Sequence, residues 1–269
     1  MRRAVIQQLC AGAILLAPVI ARSQAIDSVF VEVYHVQPSD VAGEPPLTTY
    51  RIFVDLAPDH ELQMVYGDDK HQLRIHTTTA FHNDTLNGAK FAHQVNADRL
   101  NASPLALDSW LTIGAASDQH MAVPRAMDTD GSILECPPYP ARKGKKEVAL
   151  LNIPAPLCSS DGLMPYPEIR EVVNFNFASG YLGKVKGNLL ETTNGAWAVL
   201  GGKAGVTENN LLLIAQISTT GTLSFLLNLQ IETPEHEPVK YVARDPGPDE
   251  VLYEGLAYGQ YRLPSSSGK

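Results

Sequence analysis

The sequence predicts an all-β chain, an antiparallel β-sandwich of jelly-roll-like kind with long loops. Three observations predict it. Apolar residues alternate with polar ones over short runs, the period-2 signature of half-buried strands. Gly, Pro, Asn and Asp clusters separate those runs at regular spacing. Beyond residue 25 no amphipathic helical pattern ten residues long appears, and strands do not alternate with helices.

Residues 1–25 read as a secretory signal. Arg2 and Arg3 start it, an apolar run from Ala11 to Ile20 follows, and Ser23-Gln24-Ala25 offers small residues for cleavage. The alternative is a membrane anchor, but the run is short for a helix that must cross about 30 Å of hydrocarbon. No later window is long and apolar enough to span, and Cys10 lies before the apolar run, too early for a lipid-attachment cysteine. Loss of the signal's three arginines takes the formal charge from −8 to −11. A chain that acidic is a poor ligand for nucleic acid or an anionic membrane. Residues 26–263 are read as one sandwich domain and 264–269 as a frayed tail. The alternative division is two stacked sandwiches split near residue 165.

Ser28–Val36 is the first strand, β-branched and aromatic, and Pro38–Pro46 a loop. From Thr48 to Thr79 three alternating runs follow: Tyr50, Ile52, Val54 and Leu56, then Leu62, Met64 and Tyr66, then Leu73, Ile75 and Thr77. Ala57-Pro58-Asp59 and Gly67-Asp68-Asp69 break them, which predicts an antiparallel meander. His82–Ser103 lacks a period and reads as a long surface loop with one short strand at Lys90–Val95. Leu107–Ile113 alternates again; a proline-rich loop occupies 136–167, with a basic loop tip at Arg142–Lys146. Strands are predicted over Glu168–Phe177 and Tyr181–Glu191, with Asn194-Gly195 as a hairpin turn into Ala196–Leu200. Asn210–Ile217 and Thr222–Ile231 form the next hairpin about Ser218–Gly221, and Val239–Ala243 and Val251–Tyr258 complete the series.

Cys136 and Cys158 are an even pair in an exported chain, which predicts a disulfide; two free thiols are the alternative. Loop entropy gives a bridge over a loop of this size about 3 kcal/mol. No Gly-x-Ser-x-Gly elbow, His-Glu-x-x-His, Cys-x-x-Cys or phosphate loop is present, and Gly201-Gly202-Lys203-Ala204-Gly205 follows no βαβ pattern, so it reads as a turn. His60, His71, His76, His82 and His93 cluster in sequence; solvated or hydrogen-bonded histidines are the simpler reading against ligation by His76, His82 or His93. Asp128-Thr129-Asp130-Gly131 resembles the start of a Ca2+ loop, with Asp128 and Asp130 as the metal candidates. Glu135 comes too early for the bidentate ligand, so an aspartate turn is the simpler reading. Trp110 and Trp197, with Tyr66 or Tyr50 nearby, are candidates for stacking on sugar rings if exposed; large aromatics mostly bury, which makes sandwich core the first reading.

Several runs resemble a group of uncharacterised secreted β-rich proteins of Bacteroidetes-type bacteria: the Thr-Tyr-Arg-Ile-Phe-Val-Asp-Leu run within 48–56, Val65-Tyr66-Gly67, Leu107–Gly114, Asn194–Trp197, Leu212–Ile217 and Leu223–Ile231. That group often carries a C-terminal sorting module, and none is evident before Lys269. The resemblance implies export and a β-rich extracellular module, and it implies no activity.

No motif assigns a reaction. The expectation is an exported non-catalytic binding or structural module whose partner is an extracellular polysaccharide or protein. The alternative is a polysaccharide-active hydrolase with paired carboxylates, for which Asp55 and Asp108 are the candidates because both sit on predicted strands off the apolar face.

Overall fold

The computed structural model describes residues 24–101, 104–135, 155–177, 182 and 186–262. The signal segment, Cys136 and most of the basic and proline-rich loop lie outside them. The described chain is all-β and built from antiparallel sheets, with one parallel pair at an edge. Sheet A orders β1 (Ile26–Gln37), β2 (Leu47–Leu56), β11 (Leu211–Thr219) and β5 (Trp110–Leu111) side by side. Sheet B orders β15 (Glu250–Leu252), β14 (Pro238–Val242), β13 (Asn228–Glu232), β3 (Glu61–Gly67), β10 (Gly195–Lys203) and β8 (Val173–Phe175). Sheet C orders β16 (Ala257–Tyr258), β12 (Leu223–Leu226), β4 (Leu73–Thr77) and β9 (Leu189–Thr192). A small ribbon pairs β6 (His120–Ala122) with β7 (Leu163–Pro165).

Sheets B and C are two halves of one bent sheet. The neighbours β13, β3 and β10 in B continue through the chain into β12, β4 and β9, which keep the same order in C. The bend falls at Gly67, which pairs with Gly195 across the ladder. A Cβ at Gly67 would stand 2.3 Å from the Thr192 carbonyl oxygen and 2.9 Å from the Leu73 nitrogen, so the chains cross there only without a side chain. Gly67→Ala is expected to lower stability by about 1–3 kcal/mol, the usual effect of forcing volume into a packed site. Urea unfolding of the variant measures it.

The predicted meander is therefore corrected. All three runs are strands, but β2, β3 and β4 lie in three different sheets and do not pair with one another. The turn after Leu56 passes from sheet A to the bent sheet, and the turn after Gly67 rounds the bend within it. The predicted hairpins at Asn194-Gly195 and at Ser218–Gly221 are corners for the same reason, since β9 and β10, and likewise β11 and β12, belong to different sheets. Period 2 specifies a strand and its buried face and is silent on its neighbour.

The main core fills the space between sheet A and the bent sheet. Ile52, Val54, Leu212 and Ile214 meet Leu62, Val65, Ile75, Trp197, Phe225 and Leu229 there. The alternation over 222–231 reads directly onto it: Leu223, Phe225, Leu227, Leu229 and Ile231 are all buried. A second core lies on the opposite face of sheet A, where Tyr34, Phe53, Trp110 and Leu213 are covered by Val95, Leu100, Leu105, Leu134, Leu157 and Leu163 from the long connections. Strand β11 is thus buried at all nine positions, which explains its unbroken apolar run.

The stretch 82–103 is consequently more than a surface loop. Its described part forms 3-10 turns at Ala92–Gln94 and Ala97–Arg99, in place of the predicted strand at 90–95, and it seals one face of sheet A. The only α-helix among the described residues is the single turn and a half at Ala155–Ser159. No helix among the described residues is long and apolar enough to cross a membrane.

Candidate functional site

A groove of about 440 Å³ lies at one end of sheet B, lined by Asp59, Glu61, Gly201, Glu232, Thr233, Pro234 and His236. Three local irregularities create it. Strand β10 loses register with β3 between Ala198 and Lys203, and Gly201 and Gly202 take left-handed conformations with φ of 74° and 67°. Arg170 holds that bulge from behind, its guanidinium donating to the carbonyls of Leu200 and Gly202 at 3.2 and 2.7 Å. The turn between β13 and β14 places His236 in the left-handed region with φ 62°, and the turn before β3 does the same to Asp59 with φ 63°. Only short polar or small residues adopt that region at low energy.

Glu61 and Glu232 face each other as register partners on β3 and β13. A side chain on Gly202 would meet the Glu61 carboxylate at 2.8 Å, so Glu61 lies across bare backbone. Glu232 accepts from Gln63, which in turn accepts from Gln230 at 2.7 Å. The other Glu232 oxygen pairs with His236 Nδ1 at 2.7 Å. That hydrogen bond, then the charges of Glu232 and Glu61, raise the His236 imidazole above its ordinary value. The groove thus presents three carboxylates, Asp59, Glu61 and Glu232, and the His236 imidazole, a surface for hydrogen-bond donors and cationic groups.

The residues singled out from the sequence lie elsewhere. Trp110 and Trp197 are 2% and 0% exposed, and Tyr66 is 5% exposed. Trp197 donates from Nε1 to the Thr112 carbonyl at 3.0 Å and packs on Phe177. Tyr50 is half-buried against the main core. No sugar-stacking platform forms from Trp110, Trp197 and Tyr66, because each ring is buried. Burial raises the Tyr66 phenol, with the charges of Asp68 and Glu250 adding to it.

Asp128 and Asp130 do form a turn. Asp128 Oδ1 accepts from the backbone N–H of Asp130 and Gly131 at 3.3 and 3.1 Å, and Oδ2 accepts from Gly162 at 2.7 Å. Its neighbour Asp161, wholly buried, accepts from the N–H of Ile133 at 2.6 Å, Leu134 at 3.0 Å and Leu163 at 3.2 Å. Burial pushes the Asp161 carboxyl up to about 6 against the N–H groups of Leu134 and Ile133, with the Asp128 charge pushing the same way. Oxygens already filled by N–H donors organise the loop and are poorly disposed to a cation. Among the described residues no set of three His, Cys, Asp or Glu side chains is arranged to hold a metal ion. The five histidines act separately: His60 meets the Pro58 carbonyl, His71 pairs with Glu250, His76 meets Gln260, and His93 accepts from Val172 N–H. His82 is partly buried and desolvation lowers its pKa, against the charge of Asp84.

Asp55 and Asp108 do not meet. Asp55 is half-buried on β2, where burial and then Asp27 raise its carboxyl against a hydrogen bond from Ser28. Asp108 lies off any strand and is 0% exposed; Oδ1 accepts from Asp84 N–H at 2.8 Å and Oδ2 from Ala89 N–H at 2.9 Å. Burial pushes it up to about 7, against those two N–H groups. A raised folded value means that the folded chain keeps a proton the unfolded chain has released. The stabilisation is full below 3.8 and is lost as pH rises through about 7. Asp108→Asn is therefore expected to flatten the fall in stability between those two values, which denaturation at stepped pH measures.

Comparison of the chain with protein-family models, curated proteins and solved structures gives no match. Sequence reading missed Asp59, Glu61, Glu232 and His236. They carry no motif; the one available signal was the pair of glycines at 201–202, which reads as a turn but marks a bulge.

Proposed function

We propose that this chain is an exported, non-catalytic binding module that meets an extracellular polysaccharide or protein through the acidic groove. The observation that carries the reading is a division of labour among polar groups. Asp108, Asp161 and Trp197 are spent on internal contacts, whereas Glu61, Glu232 and His236 line an open groove. Export rests on the signal-like residues 1–25, with cleavage after Ala25, and on the resemblance to secreted β-rich proteins. A Cys136–Cys158 bridge belongs to the same proposal; Cys158 packs against the second core, and Cys136 lies outside the described residues.

Binding of the mature chain to a glycan array and to a panel of basic peptides tests the reading. Retention of a ligand that is lost in the Glu61→Gln/Glu232→Gln variant is expected. Retention unchanged in that variant would contradict it. The second reading, a polysaccharide-active hydrolase, is favoured by one observation, the pairing of Glu61 and Glu232 side by side on the adjacent strands β3 and β13. Retaining glycosidases need their two carboxyls about 5–5.5 Å apart. Turnover of a polysaccharide, abolished by either single Glu→Gln change, would select it over simple binding.

A further inference from the structure

Arg51 is a buried charge with no carboxylate partner. It is 1% exposed in the middle of sheet A, and none of the ion pairs among the described residues includes it. Its Nε donates to Gln216 Oε1 at 2.9 Å, its Nη1 to the Gly162 carbonyl at 3.2 Å, and its guanidinium lies 3.5 Å from the centre of the Tyr34 ring. The nearest buried carboxylate on that face, Asp161, turns its oxygens to the N–H groups of Ile133, Leu134 and Leu163. Around Arg51 two donors have no hydrogen-bond partner, Nη2 of Arg51 and Nε1 of Trp110. Both side chains line one small cavity between sheet A and the loop layer.

That cavity has about 10 Å³ of room for the centre of a water-sized sphere, enough for one small occupant. Its remaining walls are Leu100, Leu105, Ala106, Ala116 and Leu163 with the face of Tyr34, whose hydroxyl already donates to the Asp161 carbonyl at 2.6 Å. The side chains around the space therefore offer hydrogens and a positive charge, and the Tyr34 hydroxyl oxygen is their one acceptor. A water there would find one side-chain acceptor for its two hydrogens, the Tyr34 hydroxyl, among otherwise apolar walls. An anion only accepts, and it neutralises the guanidinium where solvent cannot.

We propose that this cavity is a site for a monatomic anion of chloride size, held between the Arg51 guanidinium and the Trp110 indole N–H. The ion ties β2 and β5 to Leu100, Leu105 and Ala106 and so fastens the loop layer to sheet A. The site is independent of the acidic groove and of what the groove binds.

Thermal unfolding at fixed ionic strength tests it, with sodium chloride or bromide exchanged for sodium gluconate. The midpoint is expected to rise by about 3–5 °C for each tenfold increase of halide above the dissociation constant. Sulfate, too large for the space, gives no such rise beyond its general salt effect. Trp110→Phe keeps the ring and removes the donor, and it is expected to shrink the halide dependence. Anomalous diffraction from crystals grown in bromide decides the matter even if that variant fails to fold. A bromide peak between Arg51 and Trp110 is the expected result. Equal midpoints in halide and gluconate, or a cavity without a bromide peak, would overturn the proposal.

Discussion

Asp161→Ala is expected to lower the stability of the chain by about 3–5 kcal/mol, because it strands several buried donors at once. One carboxylate oxygen of Asp161 gathers the N–H groups of Ile133 and Leu134 and the Ser132 hydroxyl, and the other takes Leu163 N–H. These bonds fold 132–134 against the β6–β7 ribbon and so cover the second core. Asp161→Asn keeps the shape and one acceptor oxygen, and it should lose about half as much. Chemical denaturation of the two variants at one pH measures both values. A loss below about 1 kcal/mol for alanine, the level of an ordinary exposed substitution, would mean that solvent reaches these donors.

Trp197→Ala is the other large expected effect, a loss of about 3–5 kcal/mol from the cavity it opens. The indole is wholly buried between sheet A and the bent sheet, packs against Phe177, and holds the Thr112 carbonyl. The variant therefore removes contacts and also leaves a buried acceptor without its donor. Trp197→Phe, which saves most of the packing, should lie between the two. If Trp197→Ala binds any ligand of the wild-type chain with unchanged affinity, the ring takes no part in recognition, as its burial implies. Loss of binding by a variant that stays folded would place Trp197 in the site.

Much of this architecture was legible in the residues. The alternation of Ile52, Val54 and Leu56, and of Leu223 through Ile231, named core positions that the folded chain buries. What alternation cannot carry is pairing. The partners of β2 are β1 and β11, the latter more than 150 positions away, and a turn signal such as Asn194-Gly195 looks the same whether it closes a hairpin or rounds a corner. The loop layer was illegible for a related reason: 3-10 turns have no long period, and their stability comes from single groups such as Asp108 and Asp161 whose roles depend on distant backbone. The candidate groove needed three separated turns to converge, which no local pattern records. The aromatic and acidic residues that stood out in sequence stood out because they are large or charged. In this fold those properties serve packing and loop closure.

A map of amide chemical-shift changes, recorded while a ligand taken from the glycan or peptide panel is added, tests the central claim most directly. The account predicts that the changes cluster at Asp59–Gln63, Gly201–Gly202 and Glu232–His236, the three segments that border the groove. Changes centred on Asp108 or on Asp128–Asp130, with the groove silent, would contradict it.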